Sequence, residues 1–476
     1  MKGSCPPQGR GAPHGSPNAR PDSALAGLRE GLAGEVLVPN DPGYDGARTV
    51  FNGMIDRRPA VVAQCATPED VANAVLFARE TGLPVAVRGG GHAVAGTALN
   101  DGGPVVDLRR MHAVVADPEN MTVRVEGGAT MSHLDRACQP FHVAVTGGRA
   151  STTGVGGFTL GGGSGWLERR FGLACDHLLS AELVTAGGRH VHTDAEENPE
   201  LFWALHGGGG NFGVVTSMTL RVHALPEFCF ALLLFAPEAG PEVVRAYRDL
   251  VDAPAPDAVG GGVLCLTTPP AEFVPPELAG TRMCAVVVTY AGPEAELREA
   301  VAPLLALGPA ATVVAEVPYA DFPCMLDDPP GQRNYWSAEY LDAFPDEAVE
   351  LFCARAEDMP VPTGTQHVVF PMGGRVAHGP SEYPLPWRTA PWAVHPFGVW
   401  EDPADDERAI RWVRDVRAGM RPWAVGAVYL NFIGAEGADR VAAGLGAENV
   451  RRLAEVKAAY DPGNVFRFNH NIAPAA

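Results

Sequence analysis

The chain has 476 residues, more than one hydrophobic core usually serves, so two domains are expected. With 46% hydrophobic and 19% charged residues it has the balance of an ordinary globular protein, and its 56 glycines and 43 prolines are spread over many turns instead of one biased tract. A formal net charge of −20, with no lysine- or arginine-rich patch to offset it, excludes nucleic acid and anionic membrane surfaces as partners.

Nine dispersed cysteines form no CxxC pair and are odd in number. This argues against a disulfide framework or a zinc site and for a reducing compartment. The N-terminus has no apolar signal core, and no later run approaches the ~18–20 apolar residues that cross a bilayer. A cytoplasmic protein without a membrane partner is expected.

In chain order, residues 1–24 read as a disordered tail rich in Pro, Gly, Ser and Arg. A helix from about Ser23 to Ala33 completes a leading segment over 1–35. A turn-rich stretch at 39–46 precedes a βαβ-like unit. Its parts are a strand over Ala60–Cys65, a helix that opens at Thr67-Pro68 and stops at Gly82, and a strand over Leu83–Val87. That strand runs into Arg88-Gly89-Gly90-Gly91-His92. Up to residue 226, short strands alternate with glycine clusters, at 105–108, 122–129, 151–165, 181–188 and 207–222. Over 227–424 the clusters thin out and β-rich runs alternate with helical ones, which reads as a separate α+β domain. The segment 425–476 contains a strand over Ala427–Phe432, a helix over 446–460 and a terminal loop.

Glycine clusters directly after strands carry the chemistry. Glycine adopts positive φ and lets the backbone approach a ligand, presenting N–H groups to phosphate or the edge of a polar ring. The run at 88–92 suits a turn that cradles a pyrophosphate. It is no Walker loop, because no Gly-Lys-Ser/Thr follows. Nor is it a Rossmann turn: Ala93-Val94-Ala95-Gly96 does not open a helix, and no acidic ribose ligand sits at the usual distance. Three clusters in one domain point to a large ligand lying across several turns.

The segment RGGGHAVAGTALNDGGPVVDL (88–108) resembles the flavin-attachment segment of the berberine-bridge-enzyme-like oxidases, within the vanillyl-alcohol-oxidase or PCMH-type flavoprotein superfamily. STTGVGGFTLGGGSGWLERRFGLACDHL (151–178) and ELFWALHGGGGNFGVVTSMTLRVH (200–223) are similar to its second and third flavin loops. YLNF (429–432) and YDPGNVFRFNHNI (460–472) are similar to its C-terminal segment. The four motifs stand in the family's order, and the resemblance covers roughly residues 36–474.

The resemblance implies a two-domain α+β PCMH-type fold that binds FAD. A flavin domain over 36–226, completed by 425–476, would flank a substrate domain (227–424) with an antiparallel sheet covered by helices. It implies FAD contacts from Arg88, Gly89, Gly90, Gly91 and His92 in the first loop, and from Thr153, Gly154, Gly156, Gly157, Gly161 and Gly162 in the second. Gly210, Phe212, Gly213 and Val215 belong to the third loop, and Asn469 and Asn471 to the terminal one. His92 occupies the position of the histidine bonded to the flavin 8α-methyl. Ala150 stands where many relatives carry a cysteine for a second, thioether link, so a single covalent bond is expected. Thr153 falls where relatives carry the residue that admits or blocks oxygen.

Tyr429 and Asn431 are the candidate catalytic residues, since alternation in a strand puts both on one face, with Leu430 and Phe432 packing behind. Tyr335, Trp336 and Ser337, with Asn334 and Tyr340, resemble the strand that lines the substrate pocket. Many relatives have a lysine at the position of Ser337, and the aromatic pair favours a flat ligand. His190 and His192 share a strand face in a polar turn without an obvious carboxylate or third ligand, so no metal is expected. The expected reaction passes hydride from a C–H of a small secondary metabolite (an alcohol, an amine or a ring carbon) to flavin N5. Tyr429 would assist deprotonation, and molecular oxygen would be reduced to hydrogen peroxide. The rivals are a dehydrogenase with another electron acceptor and a non-catalytic, resistance-type metabolite-binding flavoprotein.

Overall fold

The computed structural model describes residues 21–252, 257–271 and 273–476, so most of the expected tail lies outside the described residues. Helix Pro21–Gly31 precedes a four-stranded sheet in the order Glu35–Leu37, Val61–Gln64, Pro104–Asp107, Ala86–Arg88. Pro104–Asp107 runs parallel to both of its neighbours, and Glu35–Leu37 is antiparallel to Val61–Gln64. Local chemistry sets the crossover helix Pro68–Thr81. The Thr67 hydroxyl accepts the Asp70 N–H at its start, and Gly82 ends it in the left-handed region at φ 68°. The Asp70 carboxylate in turn accepts the N–H groups of Ala33, Gly34 and Ala66, which fastens the leading segment to the helix start.

A five-stranded antiparallel sheet follows, ordered Val114–Asp117, Thr122–Glu126, Val214–Arg221, Leu178–Val184, His190–Asp194. The third sheet is wholly antiparallel and runs Ala311–Glu316, Cys229–Phe235, Arg282–Tyr290, Val259–Thr267, Gln366–Pro371, Trp392–Trp400, Arg333–Trp336. A short strand, Glu339–Leu341, also pairs with Trp392–Trp400.

Period-two alternation gives the faces of this third sheet different surroundings. Leu233, Val263, Val286 and Val369 pack into a core with Val243 and Tyr247 of helix Gly240–Asp252, Phe352 of Asp346–Glu357, and Val413 of Asp406–Met420. The opposite face looks into a large cavity. Leu266, Gln366, Phe397 and Trp336 form one row across it, each the register partner of the next.

Three local expectations are corrected. Leu430–Phe432 is a 3₁₀ turn and not a strand, because no strand of the described residues pairs with it and the N–H groups of Phe432 and Ile433 fold back onto the carbonyls of Tyr429 and Leu430. The second glycine loop contains a helix, Val155–Leu160, in place of strand and turn. A further helix, Ala438–Leu445, precedes the expected one, which spans Ala447–Tyr460. No described helix is long and apolar enough to cross a membrane.

Candidate active site

The three glycine loops, the C-terminal segment and the third sheet enclose a cavity of about 640 Å³. Its first wall starts at the end of strand Ala86–Arg88. The Arg88 guanidinium is not in that wall. It turns away, donates to the carbonyls of Ala47 and Thr49 and supports the turn from behind; Gly91, at φ 77°, passes over it. Gly90 packs backbone to backbone against the second loop. A Cβ on Gly90 would lie 2.5 Å from the Gly154 nitrogen, and one on Gly154 would lie 2.4 Å from the Gly90 nitrogen.

His92 follows, with its ring stacked on Phe51 at 3.8 Å and Trp336 6.2 Å away. The Phe51 N–H donates to the Gly91 carbonyl, and Asn52 bridges the Val94 carbonyl to both the N–H and the carbonyl of Asn334. Phe51 and Asn52 therefore fix the His92 turn against the sheet, a role that no sequence motif announced. Burial lowers the His92 pKa to about 4, so the imidazole is neutral at physiological pH, and its Nε2 has no hydrogen-bond partner among the described residues.

In the second loop Ala150, Thr153, Gly154, Gly156, Gly157 and Gly161 line the cavity. Gly162 does not: it sits at φ 127°, where a Cβ would crowd Leu385 and the Tyr429 ring, both at 3.3 Å, and Trp387 at 3.4 Å. Gly210, Gly213 and Val215 of the third loop line the wall, whereas Phe212 is buried in the core beneath it. Asn469 reaches the cavity and donates to the carbonyls of Gly210 and Phe466. Asn471 is exposed outside it. Lys457, fully buried, clamps the terminal segment to the third loop by donating to Asp461 at 2.7 Å and to the carbonyls of Asn211 and Phe466 at 2.7 and 2.9 Å.

The structure brings Tyr429 and Asn431 together despite the missing strand. The Tyr429 hydroxyl oxygen accepts from Asn431 Nδ2 at 2.9 Å and from the Gly163 N–H at 3.1 Å. Burial raises the phenol well above its usual pKa, and these two donors oppose the rise without cancelling it.

Of the five residues read from the sequence as the pocket strand, only Trp336 lines the cavity; Asn334, Tyr335, Ser337 and Tyr340 do not. Strand alternation sends Tyr335 the other way, where it meets Arg414, and Ser337 is wholly buried, its hydroxyl without a partner among the described residues. His192 does have carboxylate neighbours, Glu182 at 2.6 Å and Asp194 at 3.2 Å, which raise its pKa as ion-pair partners. Among the described residues no group of three ligating side chains could hold a metal ion.

An FAD fits this wall on two independent grounds. Gly157 and Gly210 both line the cavity, and a Cβ on either would meet nothing within 4 Å. No contact within the protein demands glycine there; the open space in front of the backbone does. Buried polar atoms of lining residues, His92 Nε2 and Asn469 Oδ1, also have no partner within the described protein.

Comparison with known proteins agrees. Residues 59–194 match the FAD binding domain family, and residues 428–473 match the berberine and berberine-like family. An uncharacterised FAD-linked oxidoreductase of Bacillus subtilis (strain 168) is 32% identical over 93% of this chain and 99% of its own length. (R)-6-hydroxynicotine oxidase of Paenarthrobacter nicotinovorans is 38% identical over 47% of this chain and 48% of its own. The crystal structure of 6-hydroxy-D-nicotine oxidase from Arthrobacter nicotinovorans superposes with a TM-score of 0.82 at 28% identity, covering 93% of this chain and 98% of that one. With loops, cavity and relatives in agreement, the chain belongs to the berberine-bridge-enzyme-like FAD-linked oxidoreductases, enzymes of the PCMH-type flavoprotein fold.

Proposed function

We propose that the protein is an FAD-linked oxidase that removes hydride from a C–H beside oxygen or nitrogen of a small molecule, with oxygen as the final electron acceptor. The observation that carries this reading is His92: a neutral imidazole, stacked on Phe51 with Trp336 near both rings, whose Nε2 at the glycine wall has no partner among the described residues. A neutral, immobilised imidazole is the form that bonds to carbon, so His92 is the proposed single tether. No cysteine of the described residues lines the cavity, and Ala150 offers no second link. Bound FAD supplies the hydride-accepting ring and the route by which electrons reach oxygen. Relatives whose names state an oxidase activity support the choice of acceptor.

The remaining work falls to this chain's own residues. The sheet face of Leu264, Leu266, Val368, Phe397 and Trp336 excludes water and packs the substrate. Tyr429, held by Asn431 and the Gly163 N–H, rests as a neutral phenol, and its hydroxyl hydrogen is free to donate to the substrate heteroatom and orient the C–H. Thr153, short and at the wall, leaves room for oxygen. The test is anaerobic reduction of the purified yellow protein with candidate substrates, followed by air. Stoichiometric peroxide supports an oxidase; a reduced protein that reoxidises only with a quinone overturns that part of the reading.

A further inference from the structure

Resting on the assignment of this cavity as the substrate site, we propose that the substrate carries a cationic nitrogen, a protonated amine or charged ring nitrogen, held by the Asp328 carboxylate next to the aromatic wall of Trp336 and Phe397. The charge balance of the lining carries the proposal. Five lining residues can hold charge: His92, Arg149, Asp327, Asp328 and His470. Burial disfavours the charged form of both histidines. Arg149 is already neutralised by Glu168 at 2.6 Å, and its guanidinium lies over the Phe370 ring at 3.9 Å. What remains is negative. Asp327 accepts from the N–H and hydroxyl of Ser151, and Asp328 accepts a single hydrogen bond from Gln366 Nε2 at 3.2 Å. Among the described residues neither aspartate has an arginine or lysine partner.

A carboxylate facing an apolar cavity without a cation is an incomplete pair. The neighbouring charge of Asp327 and, above all, burial raise the Asp328 pKa to about 6, so at neutral pH it is mainly ionised and short of a counter-charge. The sheet places it. Gln366 is the one polar side chain in the row Leu266–Gln366–Phe397–Trp336, and its amide reaches Asp328. Phe397 and Trp336, 4.8 Å apart and edge to face, are the next two members of that row and line the same cavity, so the wall continues from Gln366 into aromatic rings. Asp328 is thus a specificity-determining residue, and Gln366 positions it.

The experiment titrates the holoenzyme with three compounds of similar shape, benzyltrimethylammonium, neopentylbenzene and phenylacetate, reading the shift of the flavin absorbance. The cation is expected to bind at least ~10-fold more tightly than the neutral compound at about pH 8, with the anion weakest. Asp328→Asn is expected to bring cation and neutral compound within ~2-fold of each other. The proposal is overturned if the neutral or anionic compound binds as well as the cation, if the cation does not bind, or if the preference survives Asp328→Asn. Loss of the oxidase reading looks different: the flavin would be absent or never reducible, while the charge preference stays measurable on the same protein by calorimetry.

Discussion

The two walls of the cavity are built by opposite means. The flavin wall is main chain: three glycine turns pressed together, with Gly90 against Gly154, and no side chain at Gly157 or Gly210 where one would fill the space. The sheet wall is side chain throughout, made by alternate residues of strands far apart in sequence, such as Leu232, Leu264, Gln366 and Phe397. A backbone wall tolerates almost no substitution and suits a ligand that never changes. A side-chain wall can be rewritten one residue at a time and suits a ligand that differs between relatives.

The largest effect that can break this contrast is expected at Gly90. Gly90→Val puts a branched side chain into the Gly154 backbone, at a cost above ~3 kcal/mol, and the purified protein should lose most of its FAD. Retention of a full flavin complement would show that the loops yield. Next comes the clamp behind the third loop. Lys457→Met leaves Asp461 buried without its cation and should cost about 3 kcal/mol in a denaturant titration; an unchanged midpoint would deny the clamp its role.

Beneath the flavin wall lies a polar flaw, the buried Asp135, whose Oδ2 has no partner among the described residues and whose pKa burial raises to about 8. Between the ordinary carboxyl pKa near 4 and about 8, the unfolded chain releases a proton that the folded one keeps. Stability is therefore lost as pH rises through that window. Asp135→Asn should stabilise the protein by ~1–3 kcal/mol at pH 8, with the gain shrinking towards pH 4. A gain independent of pH would mean that Asp135 is ionised in the fold. The smallest effect belongs to the sheet wall: Phe397→Leu should shift the apparent KM by a few-fold, about 1 kcal/mol, with flavin content unchanged. A fall in flavin content instead would blur the distinction between the walls.

The same contrast explains what could be read from the sequence. Backbone walls need glycine at fixed places along a short stretch, so Gly89 to Gly91, the 151–165 loop and the 207–213 loop are legible in the sequence alone. Capping chemistry likewise made the helix at Pro68–Thr81 legible from Thr67 and Gly82. The sheet wall left no such trace. Which face of Arg333–Trp336 looks inward depends on register with Trp392–Trp400, so the local pattern does not show that Tyr335 faces away from the cavity. Asp328 and Gln366 meet across 38 positions, and Phe51 finds His92 across 41, through contacts that no local pattern encodes. The Tyr429 segment misled for a related reason: its composition is that of a strand, but the fold provides no partner strand there.

Attachment of the flavin at His92 decides whether the first wall is a tether or only a cradle. The direct measurement is acid precipitation of the purified protein, followed by absorbance and mass of the washed polypeptide, for the wild type and for His92→Ala. The tether predicts yellow colour and the added mass of one FAD on the wild-type chain, and a colourless pellet from His92→Ala. Flavin that washes freely from the wild-type protein would contradict it.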